Sequence, residues 1–201
     1  MRSVAPTGGD FVSVRGQNSA HNKIDAYLDR TIAVHAIVDR GTGMVRSTVT
    51  VTLHNRAPAV GLPPYVIGND VDQPPGTNQM TLAVYSPLHP TGATIDGVFA
   101  PVGPEQELGW NVGSLRIVVP PGRTTTVVFA LEGTLDLADG YRLRVVPQPA
   151  ATTTRATVEV EGAAGWVAEA GLHLTRSGRT ATGSATLLET QDFQADIDRS
   201  G

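Results

Sequence analysis

The clearest hydrophobic pattern in the chain runs over residues 45–54, where apolar and polar side chains alternate. The apolar positions are Val45, Val49, Val51 and Leu53. A period of two residues over this length predicts a β-strand with one buried face and one solvated face. Residues 31–39 alternate in the same way, and the Arg-Gly-Thr-Gly sequence between the two segments suits a tight turn, because glycine adopts positive φ readily. These two segments are therefore predicted to form a β-hairpin.

A second pair of alternating segments covers residues 113–119 and 124–131, and the side chains predicted to face the core are Leu115, Ile117, Val119, Val127, Phe129 and Leu131. The sequence Pro-Pro-Gly between them supplies the proline and the glycine that a type II turn requires, so a second hairpin is predicted here. Further short strands are predicted over residues 80–85, 94–99 and 141–146. Short strands separated by turn residues are typical of sandwiches. The predicted fold is all-β, an immunoglobulin-like β-sandwich.

The pattern divides the chain into three regions. Residues 1–21 contain few apolar side chains and many small polar ones, which predicts a flexible leader. Residues 22–149 contain the alternating segments and form the predicted sandwich domain. Residues 150–201 begin with a small polar linker and continue with short strands. A segment this short cannot form a stable sandwich alone. We therefore expect a small β-rich subdomain that packs on the sandwich domain.

The composition supports this fold and excludes several functions. Among 201 residues the chain has 24 Val and 23 Thr, and 22 Gly and 14 Pro punctuate it. With 15 basic and 19 acidic residues there is no basic excess to bind the phosphates of a nucleic acid. The absence of cysteine excludes disulfides and thiol nucleophiles. No apolar run is long enough for membrane insertion, and the first ten residues lack the apolar stretch of a signal peptide.

The residues that carry chemistry do not form a recognisable motif. The five histidines lie far apart in sequence, although the first hairpin is expected to bring His35 and His54 close together as polar neighbours. The segment Asn69–Asp72 offers alternating oxygen ligands but lacks the glycine and the distal glutamate of a calcium-binding loop, so we interpret it as a turn, with a calcium site as the alternative. Nucleophile motifs and phosphate-binding glycine loops are missing. We therefore expect no catalytic residue, metal or cofactor, and a protein that is not an enzyme; paired carboxylates for glycoside hydrolysis are the alternative.

A proline-rich segment, residues 58–78, is the strongest candidate for an interaction surface. Its prolines prevent strand hydrogen bonding over about twenty residues, so the segment is predicted to be a long loop. Long ordered loops in compact domains are usually functional. The expected contacts are Tyr65, Asn69, Asn78 and Tyr85. The alternative is that the segment covers one end of the sandwich as a lid. A carbohydrate-binding surface is a further alternative, because aromatic side chains pack on sugar rings and amides hydrogen-bond to sugar hydroxyls. Its residues would be the same four together with Trp110 and Asn111.

Several separated strings resemble one known family. They are Gly61-Leu62-Pro63-Pro64-Tyr65-Val66-Ile67-Gly68-Asn69, Pro75-Gly76-Thr77-Asn78, Tyr85-Ser86-Pro87-Leu88, Gly92-Ala93-Thr94, and Glu107-Leu108-Gly109 leading to Val119-Pro120-Pro121-Gly122. Together they resemble the C-terminal region of actinobacterial proteins of the domain-of-unknown-function 4012 family, over roughly residues 22–160. Those proteins are larger and membrane-anchored, with their bulk facing outward. The resemblance implies a module of a cell-envelope protein on the extracytoplasmic side, with an envelope protein or a glycan as its partner, and it implies no catalytic residues.

Overall fold

β-Strands make up most of the chain in this computed structural model, which describes residues 9–69, 72–103 and 105–200. In chain order the strands are β1 (Asp10–Asn18), β2 (Leu28–Asp39), β3 (Met44–Asn55), β4 (Asn78–Ser86), β5 (His89–Ile95), β6 (Val98–Ala100), β7 (Glu105–Glu107), β8 (Trp110–Val119), β9 (Thr124–Thr134), β10 (Tyr141–Val146), β11 (Thr154–Gly162), β12 (Trp166–Ala168), β13 (Thr175–Ser177), β14 (Thr180–Leu187), β15 (Gln191–Ala195) and β16 (Ile197–Arg199). A short 3-10 helix (Ile24–Tyr27) precedes β2, and the helix α1 (Pro64–Ile67) lies between β3 and β4.

Two large sheets pack face to face. The six-stranded sheet has the order β15-β10-β1-β4-β8-β7, and the eight-stranded sheet has the order β13-β14-β11-β2-β3-β9-β5-β6. Neighbouring strands are antiparallel except in the pairs β1–β10 and β2–β11. Alternate residues of both sheets point inward and form one continuous apolar core. The predicted all-β sandwich is confirmed.

The first predicted hairpin is present as β2 and β3. Val34 pairs with Val49 and Val38 pairs with Val45, and all four side chains are buried. The side chain of Asp39 holds the turn by accepting hydrogen bonds from the Gly41 amide and the Thr42 hydroxyl, both at 2.9 Å. The alternation identified the correct buried face because the opposite face of this sheet is open to solvent.

The second predicted hairpin is wrong in its pairing, although its buried positions are correct. β8 pairs with β4 and β7 in one sheet, whereas β9 pairs with β3 and β5 in the other. The turn between them crosses the sandwich and is held by Asn55, whose side chain donates to the Val119 carbonyl and whose backbone pairs with Gly122 and Arg123. Two strands that face the same core from opposite sheets have the same alternation as a hairpin, so the pattern could not separate the two arrangements.

The predicted flexible leader is also corrected from Asp10 onward. Residues 10–18 form β1, which lies in the middle of the six-stranded sheet between β4 and β10. Val12 and Val14 are buried in the core. Residues 1–8 of the predicted leader lie outside the described residues. Without β1 the facing edges of β4 and β10 would carry unpaired backbone groups, and this need outweighs the small number of apolar residues in the segment.

The strands after residue 150 belong to the same sheets. β11 pairs in parallel with β2, and β14 and β13 follow it, so they extend the eight-stranded sheet. β15 pairs with β10 at the edge of the six-stranded sheet, and β12 and β16 form a small two-stranded sheet. The C-terminal segment therefore contributes strands to both halves of the sandwich.

Candidate functional site

The proline-rich segment is ordered around a small apolar cluster of its own. Ile67 in α1 packs with Ile24 and Ala57, and all three are buried. Backbone contacts close the segment, with the Gly76 amide donating to the Ile67 carbonyl at 2.8 Å. The side chain of Asn69 donates to the Thr77 carbonyl at 2.8 Å. Asp70, the centre of the alternative calcium site, lies outside the described residues.

One glycine of this segment should be needed for its closure. Gly76 has a φ of +79°, and a Cβ atom there would lie 2.5 Å from the Pro58 carbonyl oxygen. We expect Gly76→Ala to lower the free energy of unfolding by about 1–3 kcal/mol, measured by urea denaturation. Gly61→Ala is the matched control, because Gly61 also has a positive φ, +91°, but nothing lies near its Cβ position. Equal losses for the two variants would show that the close contact at Gly76 is unimportant.

The four expected contact residues do not form one surface. Tyr65 is 68% exposed on α1, and Asn69 is half-buried beside it. Asn78 is fully buried, and its amide donates to the Asp25 carboxylate at 2.9 Å, so its assignment as a contact residue is wrong. Tyr85 lies seven residues further along β4, about 23 Å from Asn78, on the outer face of the six-stranded sheet.

The outer face of the six-stranded sheet carries a cluster that we call the aromatic face: Phe11, Tyr85, Trp110 and the carboxylates Glu105 and Glu107. The rings of Phe11 and Trp110 stack with their centroids 4.6 Å apart. Tyr85 lies one cross-strand row away, because it pairs with Ser13 on β1 and with Val112 on β8. Phe11 is buried, while Trp110 and Tyr85 are partly exposed. Two rings are thus partly available to solvent on this sheet face, while Ser13 and Val112 beside Tyr85 are buried.

Carboxylates border these rings. Glu107 on the edge strand β7 accepts a hydrogen bond from the Tyr85 hydroxyl at 2.6 Å, and this bond is the main reason that the pKa of Tyr85 is raised to about 12. Glu105 accepts from the Ser114 hydroxyl at 3.1 Å. Asn111 is held at the same edge by its hydrogen bond to the Pro87 carbonyl. The edge therefore presents hydrogen-bond acceptors next to apolar ring surfaces.

A buried acid lies directly beneath the aromatic face. Asp10 is 1% exposed and accepts hydrogen bonds from the Tyr141 hydroxyl at 2.6 Å and the Phe11 amide at 2.7 Å. Burial raises the pKa of Asp10 to about 6, and the hydrogen bonds from Tyr141, Phe11 and Ser86 oppose that rise. Asp10 thus links the start of β1, including Phe11, to β10.

The eight-stranded sheet carries a shallow groove of about 480 Å³ on its outer face. Its lining is mainly the hydroxyls of threonine and serine on β3, β11, β13 and β14, with His35 and Glu159 at one end. His35 lies 3.4 Å from Glu161, whereas His54 contacts Thr124. The expected proximity of His35 and His54 is therefore wrong, because His35 pairs with Thr48, six residues before His54 on β3.

Over residues 9–69, 72–103 and 105–200, no group of three or more His, Asp and Glu side chains is placed to hold a metal ion. In the same ranges, no helix has the length and hydropathy needed to cross a membrane.

Comparison with models of protein families and with curated proteins finds no match. Among solved structures, the chain is similar to a candidate nutrient-binding protein from Legionella pneumophila, with a TM-score of 0.50 and 9% identity over 94% of this chain and 71% of that one. Yeast LTA4 hydrolase bound to bestatin gives a TM-score of 0.48 and 11% identity, over 100% of this chain and 32% of that one. A zinc metallopeptidase of the M1 class from Deinococcus radiodurans gives 0.39 and 18%, over 79% and 38%. At such identities the Legionella likeness supports the all-β fold alone.

Proposed function

We propose that this chain is a non-catalytic interaction or structural module of a larger cell-envelope protein, on the outer side of the membrane. The resemblance of its separated sequence strings to the 4012 family supports the envelope assignment. Its contact surface is the aromatic face, and the observation that carries this choice is the pair of partly exposed rings, Trp110 and Tyr85, on one sheet face. Aromatic residues are enriched among the side chains that dominate the energy of interfaces.

The proline-rich segment is the weaker choice of surface. Its apolar side chain Ile67 is already buried against Ile24 and Ala57, which favours a covering role at that end of the sandwich. Tyr65 remains exposed, but it has no second exposed ring beside it on α1. A single exposed aromatic residue is ordinary on a protein surface.

A glycan is the second candidate for the partner. Sugar rings have apolar faces that pack on aromatic side chains and hydroxyls that donate to carboxylates. Trp110 and Tyr85 supply the ring surfaces, and Glu105 and Glu107 supply acceptors at their border. The aromatic face therefore matches the general chemistry of carbohydrate recognition.

We expect the purified chain to sediment with isolated cell-wall fractions and Trp110→Ala to weaken that binding at least tenfold. Tyr65→Ala is the matched control and should bind as the wild type does. Thermal melts of both variants by circular dichroism separate a lost contact from a lost fold. Glu107→Gln adds a milder test, because glutamine still accepts a hydrogen bond from Tyr85 but removes the charge.

Treating the fractions beforehand distinguishes the two partners. Digestion with a protease should abolish binding if the partner is a protein, and digestion with a glycan-hydrolysing enzyme should abolish it if the partner is a glycan. Binding that survives Trp110→Ala in a folded protein, or that is lost only in Tyr65→Ala, would move the surface away from the aromatic face.

A further inference from the structure

A buried arginine without an anionic partner lies at the end of the sandwich near the 3-10 helix. Arg30 on β2 is only 8% exposed. Its Nη1 donates to the side-chain oxygen of Gln148 at 3.0 Å, and Gln148 is neutral. Within the described residues its Nε and Nη2 make no hydrogen bond, and the Nε atom is fully buried. Leaving a charged donor buried and unpaired is costly, so this arrangement calls for an explanation.

Gln148 is held rigidly and fixes the orientation of the guanidinium. Its side-chain amide pairs with both backbone groups of Gly16, accepting from the amide and donating to the carbonyl at 2.8 Å each. Nη1 of Arg30 is engaged by Gln148 and Nε is buried, so Nη2 is the donor left for a ligand. A guanidinium N–H donates a strong, charge-assisted hydrogen bond to an oxygen of a carboxylate or phosphate group.

One positive and one negative side chain act on Arg30 from nearby. Burial is the main cause that lowers the pKa of Arg30, the nearby charge of Arg15 lowers it further, and Asp25 opposes both. Asp25 forms no ion pair with Arg30 among the described residues, and its carboxylate accepts from Asn78. Arg15 in turn donates to the Pro147 carbonyl. Two arginines and one aspartate leave a net positive charge that an anion would compensate.

A cavity of about 110 Å³ adjoins this guanidinium. Its lining includes Arg30, Asp25, Gln148, Gly16 and the small residues 150–151. The volume admits a small anion together with water and excludes a large ligand.

We propose that this cavity binds a small oxoanion, either a carboxylate or a phosphate group, through Nη2 of Arg30. Gln148 acts as a positioning residue by holding Nη1. The site lies beside the 3-10 helix and is independent of the aromatic face, so it adds a second ligand to the proposed binding module.

The test compares sodium acetate, sodium phosphate and sodium chloride at one ionic strength. At a hundred times its dissociation constant, the anion that fits should raise the melting temperature by about 5 °C or more over chloride. Acetate and phosphate together distinguish a planar from a tetrahedral ligand. Phosphate also stabilises folded proteins in general through exclusion from their surfaces, so the response must be compared with variants.

Arg30→Met should lose the anion response and melt in chloride at or above the wild-type temperature, since it replaces an unpaired buried charge with an apolar side chain. Arg123→Met is the matched control, because it removes an exposed arginine and should keep the full response. An equal response in Arg30→Met, or none in the wild type, would overturn the proposal.

A nuclear magnetic resonance measurement on the wild type keeps the test valid even if Arg30→Met fails to fold. The Nη2 proton signal of Arg30 should shift and exchange more slowly with water when acetate or phosphate is added, and not when chloride is added. A melting temperature that rises while this signal stays unchanged would show that the anion binds elsewhere.

Discussion

Replacing Phe129 with alanine is expected to lower the free energy of unfolding by about 3–5 kcal/mol. Phe129 lies on β9, in the interior of the eight-stranded sheet, where it pairs with Val49 on one side and Ala93 on the other. Its side chain is fully buried in the core between the two sheets. Alanine loses the transfer free energy of the ring and leaves a cavity that strands paired on both sides cannot easily close.

Phe99→Ala is the control for this prediction. Phe99 lies on the edge strand β6 and is 71% exposed, so losing the same ring there should change the stability by less than about 0.5 kcal/mol. Urea denaturation followed by tryptophan fluorescence measures both variants. A loss below 1 kcal/mol for Phe129→Ala, or a comparable loss for Phe99→Ala, would contradict this description of the core.

The alternation of residues identified the buried face of each strong strand but not its neighbours. Val49 and Phe129 were both expected inside, and both are buried. The pattern assigned β8 and β9 to one hairpin because side-chain periodicity reports which face is buried and not which sheet a strand joins. The turn by which the chain crosses from one sheet to the other is held by Asn55, whose side chain donates to the Val119 carbonyl.

The candidate sites depend on contacts between residues far apart in sequence. The aromatic face needs Phe11 beside Trp110, and the flexible leader predicted for residues 1–21 includes Phe11 because that region contains few apolar side chains. The anion site needs Arg30 beside Gln148, 118 residues away. No local pattern marks such pairs, although an arginine among the inward-facing positions of β2 was a signal that sequence inspection could have noticed.

Asp10 is the second group whose removal should have a large effect, and its effect depends on pH. Its pKa is raised from 3.8 to about 6 in the folded protein because the carboxyl group is completely buried. The folded state therefore favours the protonated form. The stability contributed in this way is fully present below pH 3.8 and is lost as the pH rises through 6.

A difference of this size in pKa corresponds to about 3 kcal/mol. Two other acids, Asp39 and Asp192, have lowered pKa values, the first mainly through the Thr42 hydroxyl and the second mainly through Arg144. The stability that they contribute is lost as the pH falls, which is the opposite of the pH dependence from Asp10. The pH profile of the wild type alone thus mixes several groups. The comparison with a variant at position 10 removes the contributions that the two proteins share.

Asp10→Asn is therefore expected to be more stable than the wild type at pH 7, by up to about 3 kcal/mol, and to lose this advantage as the pH falls to 4. The side-chain oxygen of asparagine can take the position of Oδ1, where it accepts from the Phe11 amide and the Ser86 hydroxyl, and its NH2 group can donate to the Tyr141 hydroxyl oxygen, so the packing beneath the aromatic face should persist. Urea denaturation at pH 4, 5, 6 and 7 gives the difference in free energy.

Tyr141→Phe is the companion variant. It removes the hydroxyl that lowers the pKa of Asp10, so the loss of stability with rising pH should occur at a higher pH than in the wild type. If the difference between Asp10→Asn and the wild type were the same at every pH, the buried carboxyl group would not be titrating in the folded protein. A difference that follows a single proton between pH 4 and 6 would identify Asp10 as the group that makes this sandwich more stable in mild acid.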